Sequence, residues 1–321
     1  MCKFSKENSE LNTYDNIDKY KAVKGAVVTI GTFDGVHQGH QKILQRVVKK
    51  ADEDNLTSLL LTFFPHPRMV LQPDHDLKLI NSIAERVDLV ANQGIENIVI
   101  HPFSKEFSRT TAIDYVKDIL VDKLKAKVIV IGYDHRFGIN RSASIEQLIE
   151  YSKEYDFEVI EISKKEVEEV AVSSTKVRHA LEKGAIEITN KYLNCNFSMH
   201  GTVVTGKQVG RTIGYPTANL MIKESYKLIP APGVYITSSI INDTRVYGMT
   251  NIGVNPTVSN EAIQTIETYY LDFNEDLYGK NLELFFHKRL RQEEKFNHLD
   301  DLVKAMQLDE HKTRAYVQQV G

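Results

Sequence analysis

Two histidines, His37 and His40, stand three residues apart in a glycine-rich stretch between an apolar run and a helical pattern. The run AVVTI predicts a strand, and a helix directly after the histidines is predicted by the spacing of Ile43, Leu44, Val47 and Val48. A helix N-terminus attracts phosphate. The glycines at positions 31, 35 and 39 would let a phosphate group approach the backbone closely. We interpret the stretch as a phosphate-binding loop with both imidazoles on one phosphate chain; half of a metal site and a surface pair are the alternatives.

A second set of chemically capable residues lies in the last third of the chain. The stretch 201–208 differs from a P-loop because Gln208 replaces the final hydroxyl residue, and the glycines and proline that follow do not open a helix. Thr217 and Asn219 offer hydroxyl and amide oxygens that suit Mg²⁺, although a glycine-rich turn into a strand is the simpler interpretation of this segment alone. Glu267 is a candidate general base, or otherwise a solvent-facing strand residue.

Strand and helix patterns alternate from about residue 24 to residue 163. The predicted strands are AVVTI, SLLLTFF, NIVI, KVIVIGY and FEVIEI, and one intervening helix face is predicted from Ile113, Val116, Leu120 and Leu124. This alternation predicts an α/β domain with a parallel sheet covered by helices on both faces. Ligands of such sheets bind at the carboxyl ends of the strands, where the two histidines stand.

The pattern changes after about residue 184 to strands without intervening helices, which indicates a barrel or a sandwich. The predicted strands are HGTVVT, GVYITSSI, TRVYGMT, IETYYLDF and NLELFFHKR, with a tight hairpin at Asn242-Asp243. A C-terminal helix is predicted from Leu299, Leu302, Val303 and Met306. We expect domains at 1–187 and 188–321, with residues 1–23 as a flexible or loosely packed lead-in.

Length and composition set the wider limits. A chain of 321 residues favours two domains, and a formal net charge of -3 gives no overall attraction to nucleic acid or to an anionic membrane. The two cysteines form no zinc-binding or disulfide pattern, and no apolar stretch is long enough for a leader or a membrane span. We therefore expect a cytoplasmic protein with small-molecule substrates and without nucleic-acid or membrane partners.

The stretch GTFDGVHQGH resembles the HxGH signature of nucleotidyltransferases, in the form found in prokaryotic bifunctional riboflavin kinase/FMN adenylyltransferases, also called FAD synthetases. FPHP at 64–67, GYDHRFG at 132–138 and SSTKVR at 173–178 match the family in order, although the family more often has Phe at position 135 and Gly at position 143. The resemblance implies a Rossmann-like domain that transfers AMP from ATP to FMN, giving FAD and pyrophosphate.

The same resemblance implies the roles of the residues in this domain. His37 and His40 would be catalytic and act on the triphosphate. The residues implied to bind ATP and its phosphates are Gly31, Phe33, Gly39, Ser174, Thr175 and Arg178. Those implied to bind the flavin are His66, Asp134 and Arg136.

The stretch 206–220 is similar to the flap and PTAN motif of riboflavin kinases, and GVY, NIG, IET and the segment 290–296 follow in the family order. The resemblance implies a six-stranded antiparallel Greek-key barrel with a C-terminal helix that phosphorylates riboflavin to FMN. Glu267 would be the catalytic base, and Thr217 and Asn219 would hold Mg²⁺. The implied ATP-binding residues are Gly206, Lys207 and Gly214, and Arg291 would bind the flavin. Riboflavin, FMN, FAD and ATP are thus the implied substrates and products.

Three alternatives compete with this interpretation. A monofunctional adenylyltransferase for another acceptor is disfavoured by PTAN together with Glu267. An RNA-directed enzyme is the second alternative, because class I aminoacyl-tRNA synthetases share HxGH-type motifs. The slight excess of acidic over basic residues disfavours it. A flavin-binding protein without turnover is disfavoured because the residues with implied catalytic and metal-binding roles are all present. The sequence leaves open the oligomeric state, transfer of FMN between sites, the need for reduced flavin and inhibition by product.

Overall fold

Internal contacts divide the chain into two units, Cys2–Ser174 and Thr175–Gly321. The structure is a computed structural model and describes residues 11–74, 76–133, 135–163, 172–206, 209–256 and 262–320. The domain boundary between residues 187 and 188 stays a prediction.

The apolar runs of the N-terminal unit form a six-stranded sheet in which every adjacent pair is parallel. Its strands are β1 (Asn12–Tyr14), β2 (Ala26–Ile30), β3 (Thr57–Phe63), β4 (Asn97–His101), β5 (Ala126–Gly132) and β6 (Glu158–Ile162). The order across the sheet is β1-β4-β3-β2-β5-β6. The central strand β2 is buried along its whole length, as expected for a parallel strand covered on both faces.

Helices cover the sheet. They are α1 (Gln38–Glu53), α2 (Pro67–Leu71), α3 (Ile83–Ala91), α4 (Ala112–Asp114) and α5 (Ile145–Tyr155), with short 3₁₀ turns at Ile17–Lys19, Phe107–Arg109 and Ile139–Arg141. After α4 the chain continues as a π-helix, Tyr115–Lys123, in which Val116 and Leu120 are buried. The predicted inclusion of Ile113 in this buried face is wrong, since Ile113 is exposed and the i→i+5 bonding of the π-helix changes the position of the face.

The prediction of a loose lead-in over residues 1–23 is wrong for the segment that the structure describes. β1 pairs with β4, and Ile17 is buried in the same core as the sheet. Three residues are too short to give a periodic signal, so the strand was not recognisable from sequence.

The C-terminal unit contains a closed antiparallel barrel with the strand order β10-β11-β8-β7-β12-β9. Its strands are β7 (Ser198–Val204), β8 (Ala218–Met221), β9 (Gly233–Ile241), β10 (Thr244–Pro256), β11 (Ala262–Tyr270) and β12 (Asn281–Gln292). Strands β9 to β11 are consecutive neighbours and β12 returns beside β9, which is a Greek key. Asn242 and Asp243 have φ angles of 48° and 60°, as the predicted two-residue hairpin requires.

Helices α6 (Ser174–Glu182) and α7 (Ile186–Leu193) precede the barrel, α8 (Val209–Thr212) lies between its first two strands, and α9 (Leu299–Val320) follows it. Inside the barrel, the buried hydroxyls of Thr237, Thr250 and Thr268 form a chain with oxygen separations of 2.7 and 2.8 Å, which satisfies polar groups in the core. Among the described helices, none combines the length and apolarity needed to cross a membrane.

Candidate active sites

The order of strands in the N-terminal sheet locates its ligand crevice. From β2 the chain adds β3 and then β4 on one side of the sheet. It then crosses to the other side of β2 and adds β5 and β6, so the direction of strand addition reverses between β2 and β5. Ligands of open parallel sheets bind outside the carboxyl ends of the strands at such a reversal. The residues that follow β2 and β5 are the predicted HxGH loop and the predicted segment 132–138. Non-local pairing thus places both motifs at one sheet edge.

The two histidines of the loop lie against each other. The rings of His37 and His40 are stacked, with centroids 3.7 Å apart and an interplanar angle of 17°. His37 caps α1, since its Nδ1 accepts from the backbone N–H of His40 at 3.4 Å. The ring of Phe33 lies 4.7 Å from that of His40. The first turn of α1 thus holds both imidazoles together at the helix N-terminus, which suits the binding of a phosphate chain.

Buried contacts hold this loop in its conformation. Phe33 and Val36 have φ angles of 47° and 39°, which are uncommon for residues other than glycine. The carboxylate of Asp34 accepts from the N–H groups of Ile80 and Asn81 at 3.1 and 3.2 Å and lies 3.6 Å from Arg86. Asp34 and Arg86 are both almost completely buried. Asp34 therefore connects the loop to the segment before α3.

Other predicted phosphate-binding residues lie in or beside this loop. Gly31 directly follows β2, and a Cβ there would meet the Phe33 ring at 3.0 Å. Gly39 is buried in the first turn of α1. Ser174 donates through Oγ to the backbone carbonyl of Asp34 at 2.9 Å, so its hydroxyl contacts the loop itself. The predicted phosphate contacts of Thr175 and Arg178, which belong to the other contact unit, stay predictions.

Two of the predicted flavin-binding residues follow β3 and β5, the strands on either side of β2. His66 follows β3, is buried, and caps α2 by accepting from the N–H of Arg68 at 3.1 Å. Arg136 follows β5 and is exposed. Asp134 lies outside the described residues.

In the barrel, cross-strand pairing assembles the second site. Glu267 on β11 pairs with Asn219 on β8 on one side and with Asn251 on β10 on the other. Asn251 pairs in turn with Val234 on β9, which pairs with Arg291 on β12. These residues form one row across five strands, here called the polar row. Residues far apart in sequence therefore share one level of the barrel wall.

A pocket of about 220 Å³ lies between the polar row and α9. Its lining includes Glu267, Thr217 and Arg291 and an apolar set formed by Ile213, Val234, Met249, Tyr269, Phe296, Leu302 and Met306. Thr217 donates through Oγ1 to Oε2 of Glu267 at 3.3 Å. The pocket thus combines an apolar surface with a carboxylate that a hydroxyl orients, as expected of a small-molecule site.

Opposite charges face each other where α9 meets this pocket. Arg291 donates through Nε to Oδ2 of Asp309 at 2.9 Å, and Asp309 also lines the pocket. Burial raises the pKa of Asp309, and the charge of Arg291 opposes that rise. The ion pair therefore stabilises the charged form of a carboxylate that burial disfavours.

A second polar network joins α9 to the loop before β8. The hydroxyl of Tyr215 donates to Oε2 of Glu310 at 3.1 Å, and burial together with Glu310 raises the pKa of Tyr215 to about 12. Arg314 donates a hydrogen bond to Glu310 and forms a bidentate ion pair with Asp272, with N···O distances of 2.7 and 2.8 Å. The helix is thus fixed by directional polar contacts beside the pocket.

The glycines of the predicted flap differ in their surroundings. At Gly206 a Cβ would lie 2.3–2.5 Å from the side chain of Asn219, so a larger residue there would displace the Asn219 amide. Gly214 has a φ of 83° and nothing within 4 Å of a built Cβ, which leaves room above the loop. Lys207 lies outside the described residues. The hydroxyl of Thr217 contacts the Glu267 carboxylate, and Asn219 is the strand neighbour of Glu267. Hydroxyl, amide and carboxylate oxygens are donors of the kind that Mg²⁺ prefers.

Sequence reasoning missed Asp309 and Asp34. A signal for Asp309 existed, because it follows Leu302 and Met306 at helical spacing and is a charged residue at an apolar position. No local signal marked Asp34, whose partners lie more than 40 residues away.

Two family models match the chain. That of FAD synthetase matches residues 19–176, and that of riboflavin kinase matches residues 193–317.

Full-length relatives agree with both matches. The bifunctional riboflavin kinase/FMN adenylyltransferase of Listeria monocytogenes is 33% identical over 291 residues, covering 90% of this chain and 92% of that protein. The protein of the same name from Escherichia coli K12 is 32% identical over 294 residues, covering 91% and 93%. A crystal structure described as a macrolide-efflux protein from Streptococcus pneumoniae gives a TM-score of 0.86 at 33% identity, covering 94% and 98% of the two chains.

Proposed function

Because the chain belongs to the family of bifunctional riboflavin kinases/FMN adenylyltransferases, we propose that each of its two activities uses the site described in one half of the molecule. The N-terminal half is the FAD synthetase part and the C-terminal half is the riboflavin kinase part. The observation that carries the proposal is that the histidine pair and Glu267 lie in different contact units. Residues 1–187 and 188–321 would be the corresponding domains.

In the N-terminal half, a phosphate oxygen of FMN attacks the α-phosphorus of ATP. The new O–P bond forms as the bond to the β-phosphate oxygen breaks, and pyrophosphate leaves. His37 and His40 hold the triphosphate and stabilise the charge that develops in the transition state, which their stacking at the α1 N-terminus supports. Backbone and side-chain contacts to ATP come from Gly31, Phe33, Gly39, Ser174, Thr175 and Arg178. His66, Asp134 and Arg136 bind the flavin.

In the C-terminal half, Glu267 takes the proton of the riboflavin 5′-hydroxyl as that oxygen attacks the γ-phosphorus of ATP. The bond from the γ-phosphorus to the β-phosphate oxygen breaks, and FMN and ADP leave. A positioned base contributes about 10²- to 10⁴-fold to such a step. The hydrogen bond from Thr217 supports this role, because it orients the carboxylate at the pocket wall.

The remaining pocket residues suit the other groups of the two substrates. The apolar lining covers the flavin ring, and Arg291 binds its polar edge. Thr217 and Asn219 would hold Mg²⁺, which neutralises phosphate charge when it is bound. Gly206, Lys207 and Gly214 hold the ATP phosphates under the flap. The low cysteine content supports a cytoplasmic enzyme. The formal net charge of -3 supports small-molecule substrates rather than a nucleic-acid or membrane partner.

The test uses two variants of the full chain, incubated with ATP and Mg²⁺ and followed by chromatography of the flavins. His40→Ala should abolish conversion of FMN to FAD while riboflavin is still converted to FMN. Glu267→Gln should lower FMN formation from riboflavin by at least 100-fold while supplied FMN is still converted to FAD. Loss of both activities in either variant would contradict separate sites.

A glutamate on another barrel strand provides the matched control. Glu283 lies on β12, 3.6 Å from His200 on the neighbouring strand, and does not line the pocket. Glu283→Gln should retain both activities. An equal loss of kinase activity in Glu283→Gln and Glu267→Gln would assign the loss to barrel stability and remove Glu267 from the role of base.

A further inference from the structure

The most buried residues of α9 are polar, although the helix was predicted from its apolar spacing. Asp309 and Thr313 are 2% and 0% exposed, whereas Leu302 and Met306 are only half-buried and line the pocket. A charged carboxylate is costly to bury without a partner. The buried carboxylate of Asp309 therefore requires a compensating contact, and Arg291 in the pocket wall provides it.

That contact fixes the side chain of Arg291. Its Nε donates to Asp309, one terminal nitrogen donates to the carbonyl of Gln292 at 3.2 Å, and its Cζ lies 5.6 Å from the centre of the Phe296 ring. A guanidinium is planar, so two fixed nitrogens also determine the direction of the third. The orientation of this pocket-lining cation thus depends on Asp309.

Position along the polar row shows which end of a flavin Arg291 meets. Three strand steps separate Glu267 on β11 from Arg291 on β12, through Asn251 and Val234. At the usual spacing of neighbouring strands this is about 14 Å along the barrel wall. The 5′-hydroxyl of riboflavin must lie at Glu267 to lose its proton, so its ring lies toward Arg291. Arginine only donates hydrogen bonds, and the ring carries carbonyl oxygens that accept them.

We propose that Asp309 is a positioning residue that holds the Arg291 guanidinium against the carbonyl-bearing edge of the flavin ring. This inference rests on the proposed binding of riboflavin in the pocket. Asp309 thereby determines the affinity for the flavin ring and leaves phosphoryl transfer to Glu267. Its second oxygen, Oδ1, has no hydrogen-bond partner among the described residues, so the carboxylate is committed to Arg291 alone within that part of the chain.

The test measures steady-state kinase kinetics of the full chain with Asp309→Asn. The KM for riboflavin should rise about tenfold, whereas kcat and the KM for ATP should stay within about twofold. The value of kcat at saturating riboflavin also reports whether the barrel is folded. Asp301→Asn, an exposed aspartate in the first turn of the same helix, is the matched control and should leave all three constants unchanged.

Two further measurements separate a positioning role from a structural one. In an Arg291→Ala background, Asp309→Asn should cause no additional rise in the KM for riboflavin, because the two residues act as one unit. With a riboflavin analogue carrying sulfur in place of a ring carbonyl oxygen, a weaker acceptor, the tenfold effect of Asp309→Asn should shrink.

Additive effects of the two substitutions, or a fall in kcat with an unchanged KM for riboflavin, would overturn the proposal for Asp309. Failure of the underlying function has a different signature. If riboflavin bound elsewhere, Arg291→Ala alone would leave its KM unchanged and Glu267→Gln would remain active.

Discussion

At the scale of single residues, Asp34 determines whether the histidine loop keeps its conformation. Its carboxylate binds two backbone N–H groups and the buried Arg86, and its carbonyl accepts from Ser174. Removal of one member of a buried ion pair leaves an uncompensated charge, which typically destabilises a protein by 3–5 kcal/mol. The residues proposed to bind phosphate thus depend on a neighbour whose carboxylate is buried.

Asp34→Asn should lower the free energy of unfolding of the N-terminal unit by about 3 kcal/mol and reduce FAD formation, since the loop loses its anchor. Kinase activity should be unchanged. The measurements are thermal unfolding and separate assays of the two reactions. Asp15→Asn, which removes an exposed pair with Lys19, should cost less than about 1 kcal/mol. Equal effects of the two substitutions would contradict the anchoring role.

Local sequence was sufficient for the histidine loop but not for the anchors around it. The strand, the glycines and the amphipathic face of α1 are adjacent in the chain, so their order predicted the loop at the strand end. The neighbours of Asp34 and the pairing of Arg291 with Asp309 depend on tertiary contacts that periodicity does not encode. The pairing of Asn219 with Glu267 depends on strand register, and only the family resemblance had grouped them beforehand.

At the scale of elements, the contact between β12 and the C-terminal helix contains a half-buried histidine. Nε2 of His287 lies 2.8 Å from Oγ of Ser238, and that oxygen accepts a hydrogen bond from Arg245 at 2.8 Å. The rings of Tyr247 on β10 and Tyr316 on α9 pack against His287. Burial, and then the charge of Arg245, lower the pKa of His287 to about 4. The neutral ring is therefore the form that this interface accommodates.

Acid should weaken the C-terminal unit through this residue. The unfolded chain binds a proton at His287 near pH 6.5, whereas the folded chain does so only near pH 4, so stability falls as the pH decreases between these values. The loss at pH 4 is up to about 3 kcal/mol. The measurement is the free energy of unfolding in urea at pH 7.5 and at pH 5. Its decrease between these two pH values should be smaller for His287→Gln than for His311→Gln, a control at an exposed position of α9. An equal difference in the two variants would contradict this assignment.

Elements with strong periodicity were predicted correctly, and short ones were not. Strands β9 and β10, their Asn242-Asp243 turn and the helix after residue 296 agree with the sequence patterns. The four-residue β8 and three-residue β1 are too short for a pattern, and their pairing partners define them as strands.

At the scale of the whole molecule, one chain contains both activities of its family. The family assignment therefore takes precedence over the three alternatives, which were another acceptor, an RNA substrate and a binding role without turnover. Each set of proposed catalytic residues belongs to one contact unit. FMN, the product of the second half of the chain, is the substrate of the first.

A mixture of two inactive variants should therefore restore the whole conversion. Neither His40→Ala nor Glu267→Gln alone should form FAD from riboflavin. Together they should, after a lag that lengthens on dilution, because FMN released by one protein must diffuse to the other. Chromatography of the flavins over time provides the measurement. A mixture that accumulates FMN without FAD would indicate that FMN is transferred only within a chain.

The polar character of β1 also bears on aggregation. An exposed edge strand offers a row of unpaired backbone groups that can recruit the strand of another chain, and β4 is an apolar parallel strand on that side of the sheet. Asn12–Tyr14 covers the first three of the five residues of β4. Exposed Asn12 and Thr13 thus form this edge of the described sheet in place of the apolar start of β4, which disfavours pairing with the sheet of a neighbouring copy.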